Sequence, residues 1–200
     1  LTSVVSRRGF AVGLNRSLME RTERCGTSPC TMLKLQYRMR PDICSFPSLR
    51  FYGGSLVSTR AAGTTTVQKW LEASCRDSPP DYAVINVDGT QRASGTSWAN
   101  DEEMASCVKL VGVLSSFGSC TVISFYGGQV ELVSKHAHCA VHSVDSFQGS
   151  EDDYIIVSCV RTHGTGFLGD FRRLNVALTR ARFGCFILAK TAVLQASGGE

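Results

Sequence analysis

Three runs of this chain, CTVISF (Cys120–Phe125), YIIVSCV (Tyr154–Val160) and CFILA (Cys185–Ala189), are almost continuously apolar and rich in β-branched residues. A strand with one wet face alternates apolar and polar residues, so runs without alternation belong to strands covered on both sides. Met32–Leu35, Ala83–Val87 and Ala140–Val144 are further candidate strands. Between them lie amphipathic stretches. Asp101–Phe117 carries Met104, Val108, Val111 and Leu114 at helical spacing, and Asn100 with Glu103 has the form of a capping box. Gln129–His138 predicts a second helix, and Phe171–Arg182 a third with Asp170 as its N-cap. Strands alternating with helices in this way predict an α/β domain with a mainly parallel sheet.

The length of 200 residues suits a single domain. The first residues are polar and weakly periodic, with one candidate helix over Ser17–Arg24 ending at Gly26, so 1–31 reads as a connecting segment and 32–200 as the domain. The chain begins at leucine without a targeting signal, and the expectation is a piece of a longer protein. Thr59–Asp81 mixes glycine, threonine, serine and Pro79-Pro80, which predicts a surface excursion with one short helix around Lys69–Cys75. Nine cysteines are an odd number without any C-x-x-C pair, and Cys159 and Cys185 sit inside apolar runs. Reduced thiols in a reducing compartment, cytoplasmic or nuclear, are therefore expected. No apolar run approaches the roughly 18 residues of a membrane span. A net charge of +4 is compatible with nucleic acid without demanding it.

Chemistry concentrates in three blocks. Gln36, Tyr37 and Arg38 follow a candidate strand and offer an amide, an aromatic face and a guanidinium at what is expected to be the carboxyl edge of the sheet. VDSFQGSEDD (Val144–Asp153) combines Gln148, a donor and acceptor, with Gly149, which permits close backbone approach, and Glu151, a charge that needs a partner beside so much apolar sequence. RRLNVALTRA (Arg172–Ala181) places Arg173 and Arg180 on one face if it is helical throughout, and two such cations repel unless an anion lies between them. His136, His138, Cys139 and His142 are zinc-type residues, but their spacing crosses from a helix end into a strand and scatters them, so no metal ligands are assigned.

These blocks resemble superfamily 1B helicases, in particular the branch that contains the regulator-of-nonsense-transcripts helicase and senataxin. Gln36-Tyr37-Arg38-Met39-Arg40-Pro41, Phe46-Pro47-Ser48 and Phe51-Tyr52-Gly53-Gly54-Ser55-Leu56 are similar to the opening of the second RecA-like domain, with Arg40 in place of the usual histidine. Val144–Asp153 with Val160-Arg161 resembles motif V, with Ser150 where many members carry arginine or lysine, and Arg173–Arg182 resembles motif VI. SWANDEE, VISFYGGQ and GLNRSLMER are similar to the family's intervening segments, so the likeness runs almost end to end.

The resemblance implies a RecA-like three-layer domain of the P-loop NTPase superfamily, the second motor domain of a 5′-to-3′ RNA or DNA helicase. It implies that Tyr37 stacks on the base, Arg38 meets the terminal phosphate, Glu151 lies near ribose and phosphates, and Arg180 is the arginine finger. Gln36 and Gly149 complete the nucleotide set, and Arg173 and Asn175 would orient the finger. Ser143, Asp145, Gln148, Arg161 and Asn175 are the implied nucleic-acid contacts. The implied cofactors are ATP and Mg²⁺, bound mainly by an N-terminal RecA-like domain. The implied partners are single-stranded RNA or DNA, that N-terminal domain, and RNA-processing or decay factors. The sequence contains no G-x-x-x-x-G-K-[ST] and no strand-ending Asp-Glu pair, so this segment alone is not expected to hydrolyse ATP. A degenerate module that binds nucleic acid or protein is the alternative.

Overall fold

The computed structural model describes residues 8, 12–13, 16–26, 28–63 and 79–196. The chain divides into a unit Leu1–Lys34 and a unit Leu35–Glu200. In the first, helix α1 (Leu18–Cys25) begins where the Ser17 side chain accepts from the Glu20 N–H and ends at Gly26, whose φ of 61° few other residues adopt.

The second unit is built on a five-stranded sheet in the order β3-β9-β8-β6-β7, parallel throughout. Its strands are β3 (Tyr82–Asn86), β6 (Cys120–Ser124), β7 (Ala140–Ser143), β8 (Asp152–Ser158) and β9 (Ala181–Ala189). The expected strands at 83–87, 120–125, 140–144, 154–160 and 185–189 are thus present, with boundaries shifted by a few residues at most. Side chains alternate between the faces. Ile123, Ile155, Val157, Cys185 and Ile187 bury against α2 (Pro41–Tyr52) and α5 (Phe171–Leu178), through Ile43, Cys44, Ala177 and Leu178. Val122, Ile156, Phe186 and Leu188 bury on the other side against α3 (Asp101–Leu114) and α4 (Gly127–Ser134), through Cys107, Val111, Leu114 and Val133. Helices on both faces make three layers, the arrangement the unbroken apolar runs require.

Several elements depart from the sequence expectations. The strand expected at Met32–Leu35 is only β1 (Leu35–Gln36), paired with β2 (Val57–Ser58) in a separate two-stranded sheet. Helix α2 has Pro41 in its first turn and Pro47 inside it, and its amphipathic spacing is poor, so the pattern hides it. β4 (Arg92–Ser94) and β5 (Ser97–Ala99) form a hairpin that carries no alternating apolar signal. Helix α6 (Thr191–Ala196) follows β9. The short helix expected around Lys69–Cys75 lies outside the described residues.

A buried polar network joins the α3/α4 layer to the end of β8. The Asn100 side chain accepts from the Glu103 N–H at 3.0 Å, as expected of an N-cap. Glu103 does not complete the capping box, because Gln129 Oε1 takes the Asn100 N–H at 2.8 Å. The Glu103 carboxylate instead accepts from the Val160 N–H at 2.9 Å and the Ser158 hydroxyl at 2.6 Å. Gln129 Nε2 donates to Ser158 Oγ, and Asn100 Nδ2 to the Val160 carbonyl. These clamps hold Val160 at φ 69°, a conformation that costs a β-branched residue energy and persists only under such constraint.

Asn100, Glu103, Gln129 and Ser158 have no measurable solvent exposure, and burial pushes the Glu103 carboxyl up to about 7 despite the hydrogen bonds that favour its charge. A carboxyl raised in the folded state contributes fully below the ordinary carboxylate range, and that contribution disappears as pH rises through about 7. Melting curves should therefore show Glu103→Gln gaining on the parent as pH rises from about 5 to about 8, while a pH-independent difference between them would refute the assignment.

Candidate nucleotide and nucleic-acid site

Arg38, Glu151 and Arg180 come from three distant segments and meet where β8 and β9 begin. The Arg38 Nε–H donates to Glu151 Oε2, and its Nη1 donates to the Thr179 carbonyl at 2.9 Å. Arg182, the second residue of β9, donates from Nε to the other Glu151 oxygen at 3.0 Å and from Nη1 to Asp153 at 3.2 Å. Two guanidinium groups hold the Glu151 carboxyl below the ordinary carboxylate range, Arg38 first and Arg182 second. The charge that seemed misplaced in the sequence thus has two partners.

Arg180 lies beyond α5, which ends at Leu178, in the turn that enters β9. The helix expected to reach Arg182 stops early because the Thr179 hydroxyl bonds back to the Asn175 carbonyl and the backbone extends at Ala181. Arg180 folds back over the helix end, donating to the Val176 carbonyl at 2.9 Å, the Thr179 hydroxyl at 2.9 Å and the Ser150 carbonyl at 3.3 Å. Burial, and then the Arg38 charge, bring its guanidinium down to about 10. Arg38, Arg180 and Arg182 face two carboxylates, Glu151 and Asp153, so one positive charge is left over. An anion placed against Arg38 and Arg180 would relieve their mutual repulsion. The chemistry of this donor set fits a polyphosphate.

Tyr37 stands beside Arg38 with 69% of its surface exposed. Gln36 positions the turn that presents both: its Oε1 accepts from the N–H groups of Arg38 and Met39, and its Nε2 donates to the Met39 carbonyl. The cluster occupies the amino ends of β8 and β9, not the carboxyl edge expected for Gln36, Tyr37 and Arg38. The reason is topological, since Arg40 N–H bonds to the Arg182 carbonyl and ties this segment to the start of β9. Gly149 adopts φ 90° with open space where a Cβ would stand. That backbone conformation calls for glycine.

The segment after β7 forms a second region. Ser143 and Ser146 exchange hydrogen bonds through hydroxyl and backbone, and Asp145 accepts from Arg173 at 2.9 and 3.1 Å. Gln148 is exposed on this loop. Arg173 also reaches Asp170 and stacks on Phe167, so carboxylates of this chain neutralise it and it does not join Arg180. Asn175 donates to the Tyr52 hydroxyl on α2 instead of reaching the finger, and its Oδ1 is buried with no partner among the described residues. Arg161 lies over the Trp98 ring of the hairpin and donates to the His163 carbonyl. Among the described residues no three His, Cys, Asp or Glu side chains gather as metal ligands. No helix among them is long and apolar enough to cross a membrane.

A parallel sheet between two helical layers, with motif-bearing segments gathered at its strand ends, is the RecA-like α/β architecture of P-loop NTPases. The chain belongs to the AAA domain family, whose sequence profile matches residues 14–192. It is 40% identical over 203 residues to Regulator of nonsense transcripts 1 of Dictyostelium discoideum, covering 91% of this chain and 15% of that protein. It is 35% identical to ATP-dependent helicase upf1 and 34% identical to Helicase sen1, both of Schizosaccharomyces pombe, covering 96% of this chain and 23% and 12% of those proteins. The chain therefore spans less than a quarter of the curated relatives it matches. The crystal structure of PRRSV nsp10 (helicase) covers 86% of this chain and 27% of that one, at 16% identity and a TM-score of 0.42, a likeness too loose to add to the fold assignment.

Proposed function

We propose that this chain is the second, C-terminal motor domain of an ATP-dependent 5′-to-3′ RNA or DNA helicase. The observation that carries the reading is the convergence of Arg38, Glu151 and Arg180 into one cluster with a surplus positive charge, beside an exposed Tyr37. In this reading Tyr37 stacks on the base, Arg38 meets the terminal phosphate, Glu151 holds Arg38 in place and faces the ribose, and Arg180 is the finger. Gln36 and Gly149 shape the loops that present them. ATP and Mg²⁺ supply the phosphoryl chemistry, and they sit mainly on an N-terminal RecA-like domain of the same protein.

The Ser143, Asp145 and Gln148 loop then tracks a single strand through its backbone, with Arg161 as an outer contact, and RNA-processing or decay factors are natural partners in the cytoplasm or nucleus. Docked on the Val176, Ser150 and Thr179 oxygens, Arg180 is at rest, and closure of two motor domains around nucleotide would turn it to the phosphate. The full-length protein should hydrolyse ATP with stimulation by single strands and unwind duplexes bearing a 5′ overhang, whereas the 200-residue chain alone should not. If the full-length protein binds no nucleotide, the domain is a degenerate nucleic-acid or protein-binding module instead.

A further inference from the structure

Arg60 has no place in the motifs, yet it touches the candidate base platform. Its Nε–H donates to the Tyr37 carbonyl at 2.9 Å, and its guanidinium carbon lies 5.1 Å from the centroid of the Phe183 ring. The Arg40 guanidinium lies 5.0 Å from the same centroid. Two cations beside one ring repel, and the structure treats them differently. Arg40 is compensated by Asp81, at 2.7 Å, a carboxylate that is 1% exposed. Arg60 has no carboxylate partner among the described residues.

The surroundings show what holds Arg60 there. β2 runs beside β1, Thr59 N–H bonds to the Gln36 carbonyl, and Arg60 N–H bonds to the Ser58 hydroxyl, so the residue is delivered alongside Tyr37 by backbone pairing. Its guanidinium then lies over the Phe183 ring while its Nε–H reaches back to the Tyr37 carbonyl. Gln36 already fixes the turn on the Arg38 and Met39 side through its own side chain. The Tyr37 carbonyl and the Arg38 N–H belong to one planar peptide, so Gln36 holds it by the N–H and Arg60 by the carbonyl. A ring that is 69% exposed has few packing neighbours to orient it, so the orientation of its backbone decides where it points.

We infer that Arg60 is a positioning residue that preorganises Tyr37 as the stacking platform for the nucleotide base. The inference rests on the reading of Tyr37 given above. Its chemistry is a hydrogen bond to a carbonyl, with the cation supplying the stacking on Phe183 and no contact to phosphate.

The test is steady-state ATP hydrolysis by the full-length protein with saturating single-stranded nucleic acid, for Arg60→Ala, Arg60→Gln, Tyr37→Ala and the Arg60→Ala/Tyr37→Ala double variant, each first shown to melt like the parent. Tyr37→Ala should raise KM for ATP about tenfold with little change in kcat. Arg60→Ala should raise KM about threefold to fivefold with kcat likewise held. Arg60→Gln, whose amide can still donate to the Tyr37 carbonyl, should recover most of that loss. The double variant should be no worse than Tyr37→Ala, because without the ring nothing is left to position. A parent-like KM for Arg60→Ala overturns the proposal, as does full additivity in the double variant. Arg60→Gln behaving as Arg60→Ala overturns it too, since the cation and not the hydrogen bond would then matter. A parent-like KM for Tyr37→Ala removes the platform reading itself, a failure distinct from that of Arg60 alone.

Discussion

Arg180→Ala is expected to lower single-strand-stimulated ATP hydrolysis by the full-length protein about 10³-fold while leaving ATP binding nearly intact. An arginine finger acts on charge that develops in the transition state, so its loss falls on kcat. At rest its three contacts are backbone and hydroxyl oxygens of this domain, so the ground state gains nothing from substrate through them. Its guanidinium, brought down to about 10 by burial and by Arg38, is still protonated near neutral pH. The finger should therefore work without a pH switch of its own, and the hydrolysis profile should show no inflection from it below about pH 9. Arg180→Lys should restore little, because an ammonium on a flexible stem cannot fork across two phosphate oxygens. Hydrolysis by Arg180→Ala at the parent rate would remove the motif VI assignment and favour the degenerate-module reading.

How far the sequence reached depends on which physical signal each element carries. β6, β8 and β9 are buried on both faces, so composition alone marks them; β8 starts earlier than expected because Asp152 and Asp153 are polar, and β9 because Ala181 and Arg182 continue the helical spacing of the segment before it. Helix α2 has no such mark: its two prolines read as breakers, yet one sits in the first turn and the other is buried among Ile43 and Cys44. The Arg180 turn was invisible because LNVALTRA has helical spacing, and only the Thr179 hydroxyl bonding back along α5 reveals the stop.

Glu151 announced its need of a partner, but nothing in local spacing names Arg182 as one, since the pairing depends on β8 and β9 being neighbours. The repeat of arginine at 180 and 182 is the one signal that could have suggested it. The same holds for Arg60 with Tyr37 and for the Glu103 carboxylate with Val160, contacts made across 23 and 57 residues. Side chains that act within one turn are legible, and those that act across layers wait on topology.

Phe186→Ala is expected to cost about 3–5 kcal/mol of domain stability. Phe186 has no exposed surface, and it sits in β9 opposite Ala83 of β3 and Ile156 of β8, at the centre of the α3/α4 face of the sheet. Removing the ring leaves a cavity in the core cluster it shares with Cys107, Val111, Leu114 and Leu188, which helices pinned by the Glu103 network cannot easily close. Against a typical domain stability of about 5–15 kcal/mol, the loss should lower Tm by roughly 10 °C or more. Phe186→Leu, which keeps most of the volume, should cost under half as much. The Arg38, Glu151 and Arg180 cluster lies at the amino ends of β8 and β9, and its neighbours Met39, Leu178 and Ala181 belong to the other core cluster, so well below its melting temperature Phe186→Ala should leave ATP hydrolysis by the full-length protein close to the parent rate per folded molecule. Arg180→Ala should show the opposite pattern, with Tm nearly unchanged and hydrolysis lost. Melting curves and ATPase rates on the two variants therefore separate the residue that holds β9 in the sheet from the residue that β9 presents at its start. A Phe186→Ala domain that melts with the parent would place the ring outside the packed core and undo the two-sided burial from which the parallel sheet was read.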